Sequence, residues 1–356
     1  MNWQKLSKAV KRISNLPHGG YSILFIWNKI RQKVLKLFKS TKVAYPSSIM
    51  LELTNFCNLH CITCPREYDY GKAMDKGDMQ VGQAIKIIDE LWPYLESVGL
   101  TGLGETFLYR ELEQVIDYVK SKNKGINIFI STNAMLPDFI ENISKLAPKI
   151  DTLQVSIDGL NDVYEKIRPN TSFIKLDENL RLLTGICKKT GTTLLLNMVI
   201  TKKNFFQMSL LIRYADNVGI NYLDFTRLNL ASLTDIEGTY YDFYKTDEFL
   251  RAVSESEQTA NEHKGVKVTK INFLAETGFR KCPFPWSRFY ICWNGFVAPC
   301  CAKPFPKEMN FGNVFDNKVI NVLNSKSYRG FRRLWYGNIT PDFCQRCHYI
   351  DPKAKN

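Results

Sequence analysis

Three cysteines set the chemical question. Cys57, Cys61 and Cys64 lie in the stretch CNLHCITC, a C-x3-C-x2-C spacing. Thiolate is the usual ligand of iron–sulfur clusters. Three thiolates on one loop can hold three corners of a cubane and leave one iron open. An open iron belongs to a cluster that does chemistry rather than one that only stores an electron. The competing reading is a zinc knuckle with His60 as fourth ligand, but His60 abuts Cys61, an awkward arrangement for a closed tetrahedral site. Six more cysteines, Cys282, Cys292, Cys300, Cys301, Cys344 and Cys347, fall within 66 residues. Cys187 stands alone inside a helical pattern and reads as a buried apolar residue.

The elements that must position these residues alternate regularly. Strands are predicted at 49–53, 97–100, 126–131, 153–157, 193–200 and 222–226. Helices are predicted between and after them at 81–95, 111–122, 138–146, 177–189 and 207–217. Six such units imply parallel strands with crossover helices, an α/β fold forming a partial (β/α)6 barrel, with chemistry at the carboxyl ends of the strands. Four segments are expected: a basic amphipathic stretch over 1–45, the barrel over 46–230, a bridging segment with a helix over 231–275, and a cysteine-rich, loop-rich module over 276–350.

C-x3-C-x2-C directly after the first strand of such a pattern resembles the radical S-adenosylmethionine (radical SAM) superfamily. Further motifs agree, each at a strand end: Gly102-Leu103-Gly104-Glu105, Ser131-Thr132-Asn133, and Ser156-Ile157-Asp158-Gly159 with Arg168 following. The resemblance implies that Cys57, Cys61 and Cys64 hold a [4Fe-4S] cluster. It further implies that Gly102, Gly104, Glu105, Asn133, Ser156 and Arg168 contact S-adenosylmethionine. Two positions depart from the family pattern: Thr63 stands where an aromatic residue usually precedes the third cysteine, and Thr106 where proline usually follows the acid. In this family a reduced cluster cleaves the cofactor to a 5′-deoxyadenosyl radical, which takes a hydrogen atom from the substrate. An external electron donor such as flavodoxin or ferredoxin is implied as well.

The second cysteine group resembles the auxiliary-cluster region of the SPASM/twitch subgroup. Cys282, Gly295, Cys300 and the later Cys344-x2-Cys347 carry the likeness, with Gly312-Asn313-Val314 and Asn324-Ser325 between them. Glycine at 295 allows the tight hairpin that returns the second thiolate to the first. The resemblance implies one auxiliary [4Fe-4S] cluster on Cys282, Cys300, Cys344 and Cys347, since no further cysteine follows Cys347. On spacing alone a four-cysteine zinc ribbon stands beside it. Cys292 and Cys301 are spare. Arg288, Tyr290 and Trp293 either line the substrate cavity or pack at proline-rich turns. The four histidines form no cluster, and none is given a catalytic role.

A single auxiliary cluster resembles dehydrogenases of aminocyclitols, so the expected substrate is a small polyol, sugar or aminosugar. The alternatives are a peptide-modifying maturase, a non-catalytic Fe–S or zinc scaffold, and an RNA modifier. A winged-helix peptide-binding module is not expected within 1–45, which argues against a peptide. The net charge of +13 bears on nucleic acid, but its placement does not: residues 1–45 hold ten Lys/Arg and no acid, while the other 311 carry 38 bases and 35 acids. That balance lacks the basic face a nucleic-acid binder needs. Ile23, Leu24, Ile26, Trp27, Ile30, Val34, Leu37 and Phe38, interleaved with bases, predict an amphipathic helix over 21–39. Either it lies on an anionic membrane surface or partner, which would bring a lipid-linked sugar within reach, or its apolar face caps the main domain while its lysines are solvated. Thiolates and an oxygen-labile cubane point to the cytoplasm, at the inner membrane surface under the first of these readings.

Overall fold

The computed structural model describes residues 21–229, 240–269, 282–345, 347 and 350. Among these residues nine strands run in the chain order β1 (Ser48–Leu51), β2 (Ser97–Gly99), β3 (Asn127–Thr132), β4 (Thr152–Ser156), β5 (Thr193–Ile200), β6 (Tyr222–Arg227), β7 (Lys267–Thr269), β8 (Phe289–Ile291) and β9 (Val297–Ala298). They form one sheet in the order β7-β6-β5-β4-β3-β2-β1-β8-β9. The pairs β1–β2, β2–β3, β4–β5, β5–β6, β6–β7 and β1–β8 are parallel, and β8–β9 is an antiparallel hairpin. With β7 and β9 at its edges, the sheet is an unclosed partial barrel, as the strand–helix alternation predicts.

The sequence explains the helices between the strands. Helix Val81–Leu91 buries Ala84, Ile87, Ile88 and Leu91 at helical spacing, and a capping box between Gln80 and Gln83 closes its start. Helix Phe173–Thr190 starts four residues before the predicted boundary, because the Ser172 hydroxyl accepts from Lys175 N. It stops at Gly191, whose φ of +76° only glycine adopts without strain. Helix Asp247–Glu262 lies within the 231–275 segment where a bridging helix is expected. The remainder of the expected 231–275 segment lies partly outside the described residues.

The chain divides into two compact units. The first takes the described residues up to Phe56, Met74–Phe129 and the stretch 282–343. Within it, 282–343 is more than loops: it contributes β8 and β9 to the sheet and ends in helices Val319–Leu323 and Lys326–Tyr336. Fully buried Arg332 ties this stretch down. Its Nε donates to Pro285 O at 2.8 Å, and its Nη1 donates to Leu323 O at 2.7 Å and Thr41 O at 3.1 Å. The Glu90 carboxylate accepts from Val319 N and Ile320 N, and so caps a helix start from another element.

The second unit takes Cys57–Ala73, the described residues from Ile130 to 269, and those from Cys344 onward. Along β5, Leu194, Leu196, Met198 and Ile200 are buried, while Thr193, Leu195, Asn197 and Val199 stay half-exposed. β4 alternates likewise, with Thr152, Gln154 and Ser156 on the half-exposed face. A parallel strand closed in on both faces reads as a continuous apolar run. This alternation therefore marks one face that packs under helices and one that lines open space.

Candidate active site

The cysteine loop of the second unit has little regular structure and is held by specific bonds. Ile62 N donates to Ile167 O at 3.0 Å, and the Tyr68 hydroxyl donates to Ile62 O at 2.7 Å. Cys64 N donates to Cys61 O at 3.0 Å, closing a turn between the two cysteines. None of the ten cysteines is in a disulfide. Burial raises the Cys61 thiol pKa and pushes that of Cys64 up to about 12; Cys57 adds to both shifts, and Cys61 to that of Cys64. His60 is turned elsewhere: its Nδ1 lies 3.1 Å from Glu67 Oε2 on the surface. That pairing weighs against the zinc knuckle.

Two N–H donors point at these sulfurs. Asn133 Nδ2 lies 3.9 Å from Cys57 Sγ and donates to Asn58 Oδ1 at 2.9 Å, while its Oδ1 accepts from Met135 N. Arg168 Nη1 lies 3.7 Å from Cys61 Sγ, and its Nε and Nη2 reach Asp158 Oδ2 at 3.0 and 2.8 Å. Burial opposes the Arg168 charge, but Asp158 and then Cys61 outweigh it and keep the guanidinium firmly protonated. Asp158 is itself fixed, with Oδ1 accepting from Val199 N and its carbonyl accepting from Asn204 Nδ2. Among the described residues no three Cys, His, Asp or Glu side chains converge closely enough to hold a metal ion as they stand, but two of the three thiols face N–H donors, the kind of hydrogen bond to sulfur that tunes a thiolate-held cluster.

Ser156 ends β4 opposite Asn197 of β5. The half-exposed face around it carries polar groups that the motifs do not include. Gln154 Nε2 donates to Ser131 Oγ at 3.1 Å, and Thr226 Oγ1 donates to Asn197 Oδ1 at 2.8 Å. Their signal in the sequence is a polar residue recurring on one face of β4 and, less regularly, of β5.

The first unit holds the glycine motif. A Cβ at Gly104 would enter the backbone of Thr54, Asn55 and Phe56, the residues leading into Cys57, and Glu105 N donates to Phe56 O at 2.8 Å. A Cβ at Gly102 would collide with the Glu52 side chain. Both glycines are therefore needed for close approach. The Glu105 carboxylate accepts from Phe107 N at 3.3 Å. Thr106, standing where the family carries proline, donates its hydroxyl to Leu100 O at 3.0 Å. Glu52 is a residue the motif reading missed. It is 2% exposed and accepts from Leu103 N at 2.9 Å, from Trp293 N at 3.3 Å and from the Tyr290 hydroxyl.

The cysteines of the first unit divide by environment. Cys292 is buried with Tyr290 and Ala298, and Cys301 packs against that cluster. Cys300 accepts from Ala302 N at 3.3 Å, and with Cys282 it adds to the burial that pushes the Tyr328 phenol up to about 12. Those two thiols therefore share one neighbourhood. Gly295, with φ of +83°, makes the expected hairpin turn, its N donating to Cys292 O at 2.8 Å. Tyr290 is buried with its hydroxyl on Glu52, Trp293 rests against Gly77, and Arg288 lies over Phe284. In the second unit, Cys347 N donates to Cys344 O at 3.2 Å, and Asn229 Nδ2 lies 3.7 Å from Cys347 Sγ.

Two family models match the chain: the radical SAM superfamily over residues 51–204, and SPASM, an iron–sulfur cluster-binding domain, over 282–348. The chain belongs to the radical SAM superfamily. It is an enzyme of the SPASM subfamily, whose radical SAM domain binds a [4Fe-4S] cluster and S-adenosylmethionine and whose SPASM domain binds auxiliary iron–sulfur clusters. The radical SAM chain is 24% identical over 324 residues to the tungsten-containing aldehyde ferredoxin oxidoreductase cofactor-modifying protein of Pyrococcus furiosus, covering 85% of this chain and 87% of that one. It is 23% identical over 329 residues to the antilisterial bacteriocin subtilosin biosynthesis protein AlbA of Bacillus subtilis, covering 91% and 69%. Streptococcus suis SuiB, solved with its precursor peptide SuiA, shares the fold with a TM-score of 0.67 at 17% identity, over 90% of this radical SAM chain and 74% of SuiB.

Proposed function

We propose that this enzyme modifies a peptide by abstracting a hydrogen atom from one of its residues. The observation that carries the reading is the likeness to AlbA, a bacteriocin biosynthesis protein, over 91% of the chain, which takes in both iron–sulfur regions. The half-exposed strand face supports it. Gln154 and Asn197 offer amide groups, each both donor and acceptor, which match the peptide group they would align. This likeness outweighs the argument against a peptide drawn from the length and charge of residues 1–45. The polyol, sugar or aminosugar reading rests on the number of auxiliary ligands alone.

In this reading Cys57, Cys61 and Cys64 hold the cofactor-cleaving cluster, and Cys282, Cys300, Cys344 and Cys347 hold one auxiliary cluster. The bound cluster and S-adenosylmethionine supply the electron and the 5′-deoxyadenosyl radical that side chains lack. The protein supplies order. Arg168, fixed by Asp158, sets a permanent positive charge beside Cys61 and favours its thiolate. Asn133 steadies Cys57 from its side. Glu52 holds the Leu103 amide, so the glycine motif presents its backbone in one arrangement, with Gly102, Gly104 and Glu105 available to the amino acid end of the cofactor. Ser156 is available to the cofactor as well, and Gln154 and Asn197 beside it orient the substrate.

The test is anaerobic turnover of reconstituted enzyme with dithionite and S-adenosylmethionine. 5′-Deoxyadenosine forms, and Cys61→Ala forms none. A pool of synthetic peptides raises the rate above the background and yields peptide products of altered mass, whereas a panel of polyols and aminosugars does not. The reverse pattern restores the polyol reading, and no 5′-deoxyadenosine under any condition overturns both.

A further inference from the structure

Helix Tyr21–Leu37 is inverted relative to an ordinary surface helix. Its inward side is largely polar: Asn28 Nδ2 and Gln32 Nε2 donate to Tyr45 O at 2.9 and 2.7 Å, and Lys29 pairs with Glu96 at 2.7 Å. Phe25 is its one buried apolar side chain. The outward side is apolar. Ile23, Trp27, Ile30, Val34 and Leu37 follow one another at steps of four and three, fall on a single stripe, and are 59, 66, 46, 44 and 77% exposed. The capping alternative for this helix is thereby corrected, because polar bonds dock it and the apolar stripe faces away. A stripe of this kind on a folded chain marks an interaction surface.

Charge selects the occupant. The 4-3-4-3 spacing would also suit pairing with a second copy of the helix. But residues 1–45 contain ten Lys/Arg and no Asp or Glu, so a second copy would set bases against bases. Arg31 and Lys33 are exposed on either side of the stripe. We propose that this face docks on an anionic lipid surface, with Trp27 and its neighbours entering the headgroup boundary while the flanking bases meet lipid phosphates. Among the described residues no helix is long and apolar enough to cross a membrane, so the contact is peripheral. The proposal is independent of the substrate.

Vesicle co-sedimentation of the full chain tests it. The protein pellets with phosphatidylglycerol–phosphatidylcholine vesicles, stays in solution with phosphatidylcholine alone, and is released as salt rises. Trp27→Glu/Val34→Glu, and separately Arg31→Glu/Lys33→Glu, weaken binding about tenfold or more. All four side chains are solvent-exposed, and an unchanged melting temperature verifies that the fold is kept. Equal binding by wild type and both variants, or no binding by any, overturns the proposal. So does a concentration-dependent dimer in sedimentation velocity that the Trp27→Glu/Val34→Glu variant abolishes, since the stripe would then belong to a second copy.

Discussion

Arg168 stands beside Cys61, with Nη1 3.7 Å from Sγ, and it is held there by Asp158 at 2.8 Å. The pair Arg168–Asp158 is almost wholly buried, so removing one partner strands the other. Arg168→Met leaves the Asp158 carboxylate without its cation and should destabilise the cluster-free chain by about 3–5 kcal/mol. Urea unfolding of the two proteins side by side checks this. A loss below about 1 kcal/mol would mean that the Val199 and Asn204 bonds suffice for Asp158.

Asn133 acts on sulfur more than on stability. A donor near a cluster ligand favours the reduced, more negative state. Asn133→Ala is therefore expected to lower the reduction potential of the cofactor-cleaving cluster while the iron content stays at about eight per chain, two cubanes of four. A redox titration followed by electron paramagnetic resonance measures both.

Glu52 joins three chain segments through a single carboxylate. Glu52→Gln replaces one acceptor oxygen by a donor and should cost about 1–3 kcal/mol, because the buried donors Leu103 N, Trp293 N and Tyr290 OH cannot all be satisfied. Tyr290→Phe removes one of those donors. In a double-mutant cycle the two changes should cost less together than the sum of their separate losses.

Acid stability should depend on Asp177. Burial alone would raise its carboxyl pKa, but hydrogen bonds from Arg181 and Tyr214 prevail and hold it below the usual carboxylate range. A depressed folded pKa gives stability that is complete above the unfolded value, near ~3.9, and lost as pH falls through the lower folded one. Asp177→Asn should flatten that part of the pH–stability curve by less than about 1 kcal/mol, because the pair is partly solvated. Melting temperatures between neutral and acid pH are the measurement.

The parallel strands and their helices were legible because each buries a periodic apolar face, and the cysteine motif because few chemistries need that spacing. Other features were not. β8 pairs with β1 although their residues lie some 240 positions apart, and no local pattern announces a pairing at that range. Glu52 reads as one acid inside a strand ending, and only the packed structure brings three donors to it. The alternation of Gln154 and Ser156, or of Asn197 and Val199, was visible, but its meaning depends on which face the helices cover. The stripe from Ile23 to Leu37 shows as helical periodicity in the sequence. Which side faces outward is set by the partners of Asn28, Lys29 and Gln32, all distant in sequence.

The long-range pairing of β1 with β8 also constrains biogenesis. β1 has β2 on one side and β8 on the other, and β8 is made some 240 residues after β1. While the ribosome is still at work, the outer rim of β1 therefore presents unsatisfied amides and carbonyls. A nascent chain interrupted before residue 289 would keep that adhesive rim, so chaperone attendance late in synthesis should govern the yield of folded protein.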